Sequence, residues 1–150
     1  MERAELITNA KQVLEGHLRP INALVAEIKS RMQHGTDTIS NTELHDWALA
    51  LPIMVMELSP VSDAYNLTKN LLDIEIGDGQ ASTMLTGVEG ITKKKDLEAY
   101  VKTQGTGSKQ KKAVNDYFKN ALGGVIEAAN ALTSSIKTII NARRFYGEEK

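Results

Sequence analysis

Between Glu2 and about Gln33, apolar side chains fall at Leu6, Val13, Leu14, Leu18, Ile21, Leu24, Val25 and Ile28. Those spacings of three and four draw one stripe along a helix. Pro20 lies inside the segment and is expected to kink or divide it, because its ring removes an intrahelical bond and crowds the preceding turn. His34 to Thr38 reads as a turn. Ser40 followed three residues later by Glu43 has the spacing of a capping box, which predicts a second helix running to about Ser59. Pro52, within the apolar run Trp47 to Met56, predicts a kink there. Ser59-Pro60 opens a third helix, since proline suits a first helical turn, and Ala64, Leu67, Leu71 and Ile74 supply its face.

From Gly77 to Gly90 the chain holds four of its eleven glycines with Ser and Thr between them, a composition that predicts a loop. Lys93 to Lys102 reads as a short helix. Thr103 to Ser108 reads as a second flexible break, with Ser108 placed to cap the next helix. The last helix is the clearest element. Phe118, Leu122, Val125, Ala129, Leu132, Ile136 and Ile139 alternate spacings of four and three, the heptad rhythm that keeps one seam facing a partner. A parallel row of Val114, Ala121, Ala128 and Ile140 widens the stripe to the breadth of a helix packed on more than one neighbour. Gly123-Gly124 weakens intrinsic helicity by up to about 1 kcal/mol per glycine but permits close backbone approach, so tight packing is expected there, within the chain or between subunits. Together these patterns predict an all-α fold: helical hairpins or a bundle with a long heptad-patterned C-terminal helix that oligomerises through residues 113–145. One domain is expected over residues 1–150, divided into an acidic helical part (1–76), a flexible basic region (77–112) and the C-terminal helix (113–146).

Length and composition agree with that picture. A chain of 150 residues can bury about two thirds of its unfolded surface, and 41% hydrophobic with 25% charged residues is ordinary globular usage. No run approaches the roughly 18 apolar residues of a membrane span. The acidic start, Met1-Glu2-Arg3-Ala4-Glu5, lacks the layout of a signal peptide. With no cysteine in the chain, disulfides, thiolate nucleophiles and cysteine metal sites are excluded, and a cytoplasmic location is expected.

The net charge of −1 conceals a segregation. Residues 1–92 carry 6 Lys+Arg against 13 Asp+Glu, whereas residues 93–119 carry eight lysines against Asp96, Glu98 and Asp116, a net of +5. Screening limits each charge to neighbours within about 8–10 Å, so a local cluster matters more to a polyanion than the overall balance.

Catalytic chemistry finds little footing. The histidines are His17, His34 and His45; no two have helix-face metal spacing and no serine lies in a nucleophile elbow, so no metal, cofactor or catalytic residue is expected. His45-Asp46 and the pair Asp73 and Glu75 read as solvated surface groups. Gly105-Thr106-Gly107-Ser108-Lys109 departs from the order a nucleotide-binding loop requires. It is read as a hinge whose amides, beside Lys109, Lys111 and Lys112, can meet a phosphate, with a solvated linker as the equal alternative. Lysines interleaved with Tyr100, Tyr117 and Phe118 have the composition of single-strand binders, in which cations follow phosphates and rings stack on bases. Phe118 suits the core better, which leaves Tyr100 as the stacking candidate. Lysine is a point charge with little base selectivity, so the expected binding is sequence-independent and salt-sensitive. The candidate contacts are Lys93, Lys94, Lys95, Lys109, Lys111 and Lys112.

The run Ser135-Ile136-Lys137-Thr138-Ile139-Ile140-Asn141-Ala142-Arg143-Arg144-Phe145 resembles the terminal signature of the UvsY-like phage recombination mediators. That signature is Ile-Lys, five residues, then Arg-x-Phe shortly before the chain ends. Ile136, Lys137, Arg143 and Phe145 occupy those places, although Asn141-Ala142 stands where family members often have Asp-Trp or Asp-Met. A weaker likeness covers Lys69-Asn70-Leu71-Leu72-Asp73, where the family has a basic helix. The resemblance implies an oligomeric helical protein, without nucleotide, that binds single-stranded DNA in a phage-infected bacterial cytoplasm. It also implies contacts with a recombinase and a single-strand-binding protein, and help in assembling recombinase filaments. It adds Lys69, Lys137, Arg143 and Arg144 as alternative DNA contacts; the last three equally suit a helix C-terminus, where cations complement the dipole. A virion or adaptor assembly protein and a host-enzyme inhibitor, neither touching DNA, are the competing classes.

Overall fold

The computed structural model of the protein describes residues 3–87, 90–103 and 106–147. Every element named there is helical: α1 (Arg3–Gln33), a 3-10 turn (Thr36–Thr38), α2 (Asn41–Glu57), α3 (Ser59–Thr86), α4 (Lys94–Thr103) and α5 (Thr106–Phe145). The all-α expectation holds. The backbone gathers into two compact units, residues 1–62 with 120–150 and residues 63–119, so α5 contributes its first part to the second unit and its remainder to the first.

In the first unit α1 buries Leu14, Leu18, Ile21 and Ile28, and Val13 is left exposed. Neither Pro20 nor Pro52 divides its helix, since each lies within a continuous element. Each removes one backbone bond without ending its helix. From α2 come Leu44, Trp47 and Leu51, and Leu58 follows at its C-cap. From α5 come Leu122, Ala129 and Ile136, with Val125, Leu132 and Ile139 half-buried. The heptad row therefore faces the chain's own interior. Gly123 and Gly124 are exposed, and a methyl group at either would meet nothing within 4 Å. Among the described residues nothing packs closely on that pair, because the buried row passes on the other side of the helix.

The connection from α1 to α2 is fixed by local chemistry. Gly35 takes φ 106°, a conformation costly for any residue with a Cβ. Ser40 and Glu43 form the expected capping box: the Glu43 amide donates to Ser40 Oγ at 3.2 Å and the Ser40 amide to Glu43 Oε2 at 2.9 Å. Arg31, from the last turn of α1, donates to both oxygens of the same carboxylate, at 2.6 and 3.1 Å, and lies 5.9 Å from the Trp47 ring centroid. One glutamate thus caps α2 and ties it to α1. The bonds from Arg31 and then from the Ser40 amide hold the Glu43 carboxyl down to about 2.

The second unit corrects two boundaries. The loop expected over 77–90 is helix as far as Thr86. Gly77 and Gly79 each cost about 1 kcal/mol there but block nothing, and Thr83 and Thr86 bond back to the carbonyls of Gly79 and Ser82. The turn waits for Gly87, at φ 74°, a left-handed cap that glycine adopts freely. Gly107 and Ser108 are likewise inside α5 rather than in a hinge, while Gly105 lies outside the described residues. Ser108 is near the start of α5 and donates to Glu75 Oε1 of α3 at 2.8 Å instead of capping. The flexible basic region expected over 77–112 is thus largely helical. Lys94–Thr103 agrees with the short helix read from the sequence.

This packing has two measurable consequences. Ile136→Ala should cost about 2–5 kcal/mol in urea unfolding, equally at every protein concentration; a loss that deepens on dilution would place the row between subunits instead. Because the folded Glu43 carboxyl is depressed, its stabilising contribution is complete above the ordinary value of 4.5 and is lost as pH falls toward about 2. Thermal unfolding followed across that window should show the acid limb flatten in Glu43→Gln, which keeps an acceptor for the capping box.

Candidate nucleic-acid interface

The cations expected to meet phosphate belong to both units. In the second, Lys93, Lys94 and Lys95 are exposed and enter no ion pair with a described residue. Their position is specific. The Leu97 amide donates to the Lys93 carbonyl at 3.0 Å, so the three lysines surround the start of α4. There they oppose the positive end of the helix dipole, an arrangement that costs a few tenths to about 1 kcal/mol per charge. Asp96, in the same first turn, offsets part of it.

The lysines of α5 are placed differently. Lys112 Nζ lies 2.5 Å from Asp73 Oδ1, and that hydrogen bond is the main reason its ammonium titrates above the ordinary 10.5. About one turn further along α5, Asn115 is buried and donates to the Tyr65 carbonyl at 3.0 Å. With the Ser108 to Glu75 bond, these contacts lay the basic start of α5 along the acidic stretch of α3. The net +5 of residues 93–119 is thereby reduced: residues 63–119 hold nine lysines against eight acidic residues, a net of +1. Lys111 remains exposed and enters no ion pair with a described residue, whereas Lys109 and Lys69 are half-buried. The Tyr100 side chain falls outside the described residues. Phe118 is core, 4% exposed, and its neighbour Tyr117 is 69% exposed, packed edge-on against it at 5.3 Å between centroids. Among the described side chains of this unit, the exposed ring is that of Tyr117, which the helical period carries away from the buried row.

In the first unit Lys137 and Arg144 are exposed but Arg143 is buried, 8% accessible. Arg143 Nη1 donates to Asn41 Oδ1 at 2.9 Å and Nη2 to the Thr36 carbonyl at 2.6 Å, which fastens the end of α5 to the corner where α2 begins. Beside it opens a cleft lined by Asn41, His45, Ile140, Arg143 and Arg144. Sequence reasoning missed Asn41 and His45. About a hundred residues separate them from the arginines, and no spacing rule reports such a meeting.

Two apolar rows also stand open. On α2, Leu49, Ile53 and Met56 are exposed, and on α3, Leu67, Leu71 and Ile74, each row repeating at four and then three residues. Among the described residues, no group of three or more His, Asp or Glu side chains is gathered to hold a metal ion. No described helix is long and apolar enough to cross a membrane. No protein-family model, curated protein or solved structure matches the chain.

Asp73 ties up the Lys112 ammonium within the folded chain. Asp73→Asn should free one ammonium, tighten binding to an oligothymidylate and steepen the dependence of log K on log salt by about 0.7. Anisotropy titrations at several salt concentrations measure both, and an unchanged slope would show that Lys112 does not face the ligand.

Proposed function

We propose that the chain is a non-enzymatic mediator that binds single-stranded DNA without sequence preference and assists recombinase filament assembly, in the manner implied by its resemblance to the UvsY-like proteins. The observation that carries the DNA-binding part is the exposed trio Lys93, Lys94 and Lys95, which has no carboxylate partner among the described residues. Three cations at the positive end of a short helix destabilise that helix, and phosphates arriving from outside would relieve the repulsion. Lys111 and the exposed ring of Tyr117 extend the same reading, a cation for the backbone and a face for a base. The mediator role, with a recombinase and a single-strand-binding protein as partners, is supported by the C-terminal run around Ile136, Lys137, Arg143 and Phe145. Self-association belongs to this reading as well. With four residues of the α5 row buried in the chain's own core, the open rows of α2 and α3 offer a second copy the better surface.

Those same rows favour a second reading, an assembly or adaptor protein that docks through helix faces and leaves DNA alone. Exposed leucine and isoleucine repeated over two helical turns is the anchor pattern of helix-in-groove recognition. The lysines separate the two readings. Replacing Lys93, Lys94 and Lys95 together by Gln should weaken binding to single strands of every sequence alike. It should also lower the salt slope by about two units, roughly 0.7 for each phosphate no longer neutralised. If affinity and slope match the wild type, the trio does not touch the strand; if the wild type shows no saturable binding at low salt, the assembly reading replaces the mediator one.

A further inference from the structure

The cleft at the junction of α2 and the end of α5 carries cationic and neutral lining but no acid. We infer that it is a binding site for a single phosphate group. Arg143 is the first reason. The residue is more than nine-tenths buried, yet both of its bonds go to neutral oxygens, Asn41 Oδ1 and the Thr36 carbonyl. No carboxylate of a described residue pairs with it. A buried cation without an anion is costly, and the cost falls when a counter-charge arrives. Those two bonds occupy Nη1 and Nη2, and no described buried side-chain nitrogen or oxygen is left unbonded. Arg143 Nε–H makes neither of these bonds.

The remaining lining agrees. Arg144 is exposed and carries a second guanidinium, whose planar fork suits phosphate oxygens. His45 adds an imidazole, and Asn41 is the first residue of the 17-residue α2. The capping box engages the Glu43 amide, and Leu44 donates to the Ser40 carbonyl. That leaves the amides of Asn41 and Thr42 at the positive end of the helix. Of the two carboxylates nearest in sequence, Glu43 is held by Arg31 and Ser40 and Asp46, next to His45, is exposed and does not line the cleft; none of the five lining residues is acidic. The volume, about 150 Å3, is below the roughly 300–1,000 Å3 of sites for whole small molecules, so the ligand is one small anionic group. A nucleic-acid backbone and free phosphate both offer that chemistry. The site itself stands apart from the lysine reading; the oligonucleotide arm of its test alone depends on it.

The test is a titration of the full chain with inorganic phosphate, followed by amide NMR at ionic strength matched with sodium chloride. Saturable shifts confined to Asn41–His45 and Ile140–Arg144 are expected. Arg144→Gln, an exposed position that leaves the Arg143 bonds intact, should weaken binding at least about tenfold, the scale of one charge-assisted hydrogen bond, and His45→Gln should weaken it less. Shifts that merely follow ionic strength, or an affinity unchanged in Arg144→Gln, would overturn the site. Adding an oligothymidylate to the phosphate-loaded protein decides the source. Displacement assigns the cleft to a backbone phosphate, and retention of phosphate assigns it to a free one. Loss of DNA binding in the triple lysine variant with phosphate shifts intact would confirm the cleft while confining the strand to the second unit.

Discussion

Among the described residues, the polar bonds that join different helices of the first unit end on a short stretch of chain between Thr36 and Glu43. Arg31 reaches it from the end of α1, the capping box closes it at the start of α2, and Arg143 reaches it from the end of α5. Apolar burial holds the three helices together without specifying how far each slides along its neighbours. These directional bonds set the register. Glu43 serves two helices with one carboxylate, and an uncharged acceptor at that place would keep the cap but weaken the tie to α1. Arg143 makes the third anchor with a buried charge, and the acid-free cleft beside it is a consequence.

Charge follows a different logic in the second unit. Along the chain, acidic and basic residues are separated into blocks; in the fold, α5 brings its first lysines back to the acidic side of α3, as Lys112 with Asp73 and Ser108 with Glu75 record. Folding thus uses part of the cationic segment to stabilise a helix pair. What it leaves exposed among the described residues, Lys93 to Lys95 and Lys111, is smaller than the sequence promises and better defined. Four point charges on one short unit suit a phosphate backbone read without regard to sequence.

The heptad row of α5 shows why periodicity alone does not name a partner. A stripe with spacings of four and three demands burial, and a neighbour in the same chain satisfies the demand as well as a second chain does. Here α1 and α2 bury Leu18, Ile21, Ile28, Leu44 and Leu51 in the same unit as Leu122, Ala129 and Ile136. The apolar surplus has moved to Leu49, Ile53 and Met56 on α2 and to Leu67, Leu71 and Ile74 on α3. By sequence pattern these are simply the faces of helices.

Local chemistry was legible in the residues themselves. Ser40 with Glu43, Gly35 in its turn, the short helix beginning near Lys93 and the long helical row after Phe118 all act within one or two turns of chain, where spacing and bonding are the same fact. Glycine misled at Gly77, Gly79 and Gly107, because its helix penalty of about 1 kcal/mol is a preference that neighbouring residues outweigh. The meetings that make the candidate sites were decided by tertiary structure: Arg143 with Thr36 and Asn41, Arg144 beside His45, Lys112 on Asp73. Each joins residues about 40 to 100 positions apart. Pattern in a single sequence reports which side chains must be buried or bonded, but the identity of the partner is set by how whole helices pack.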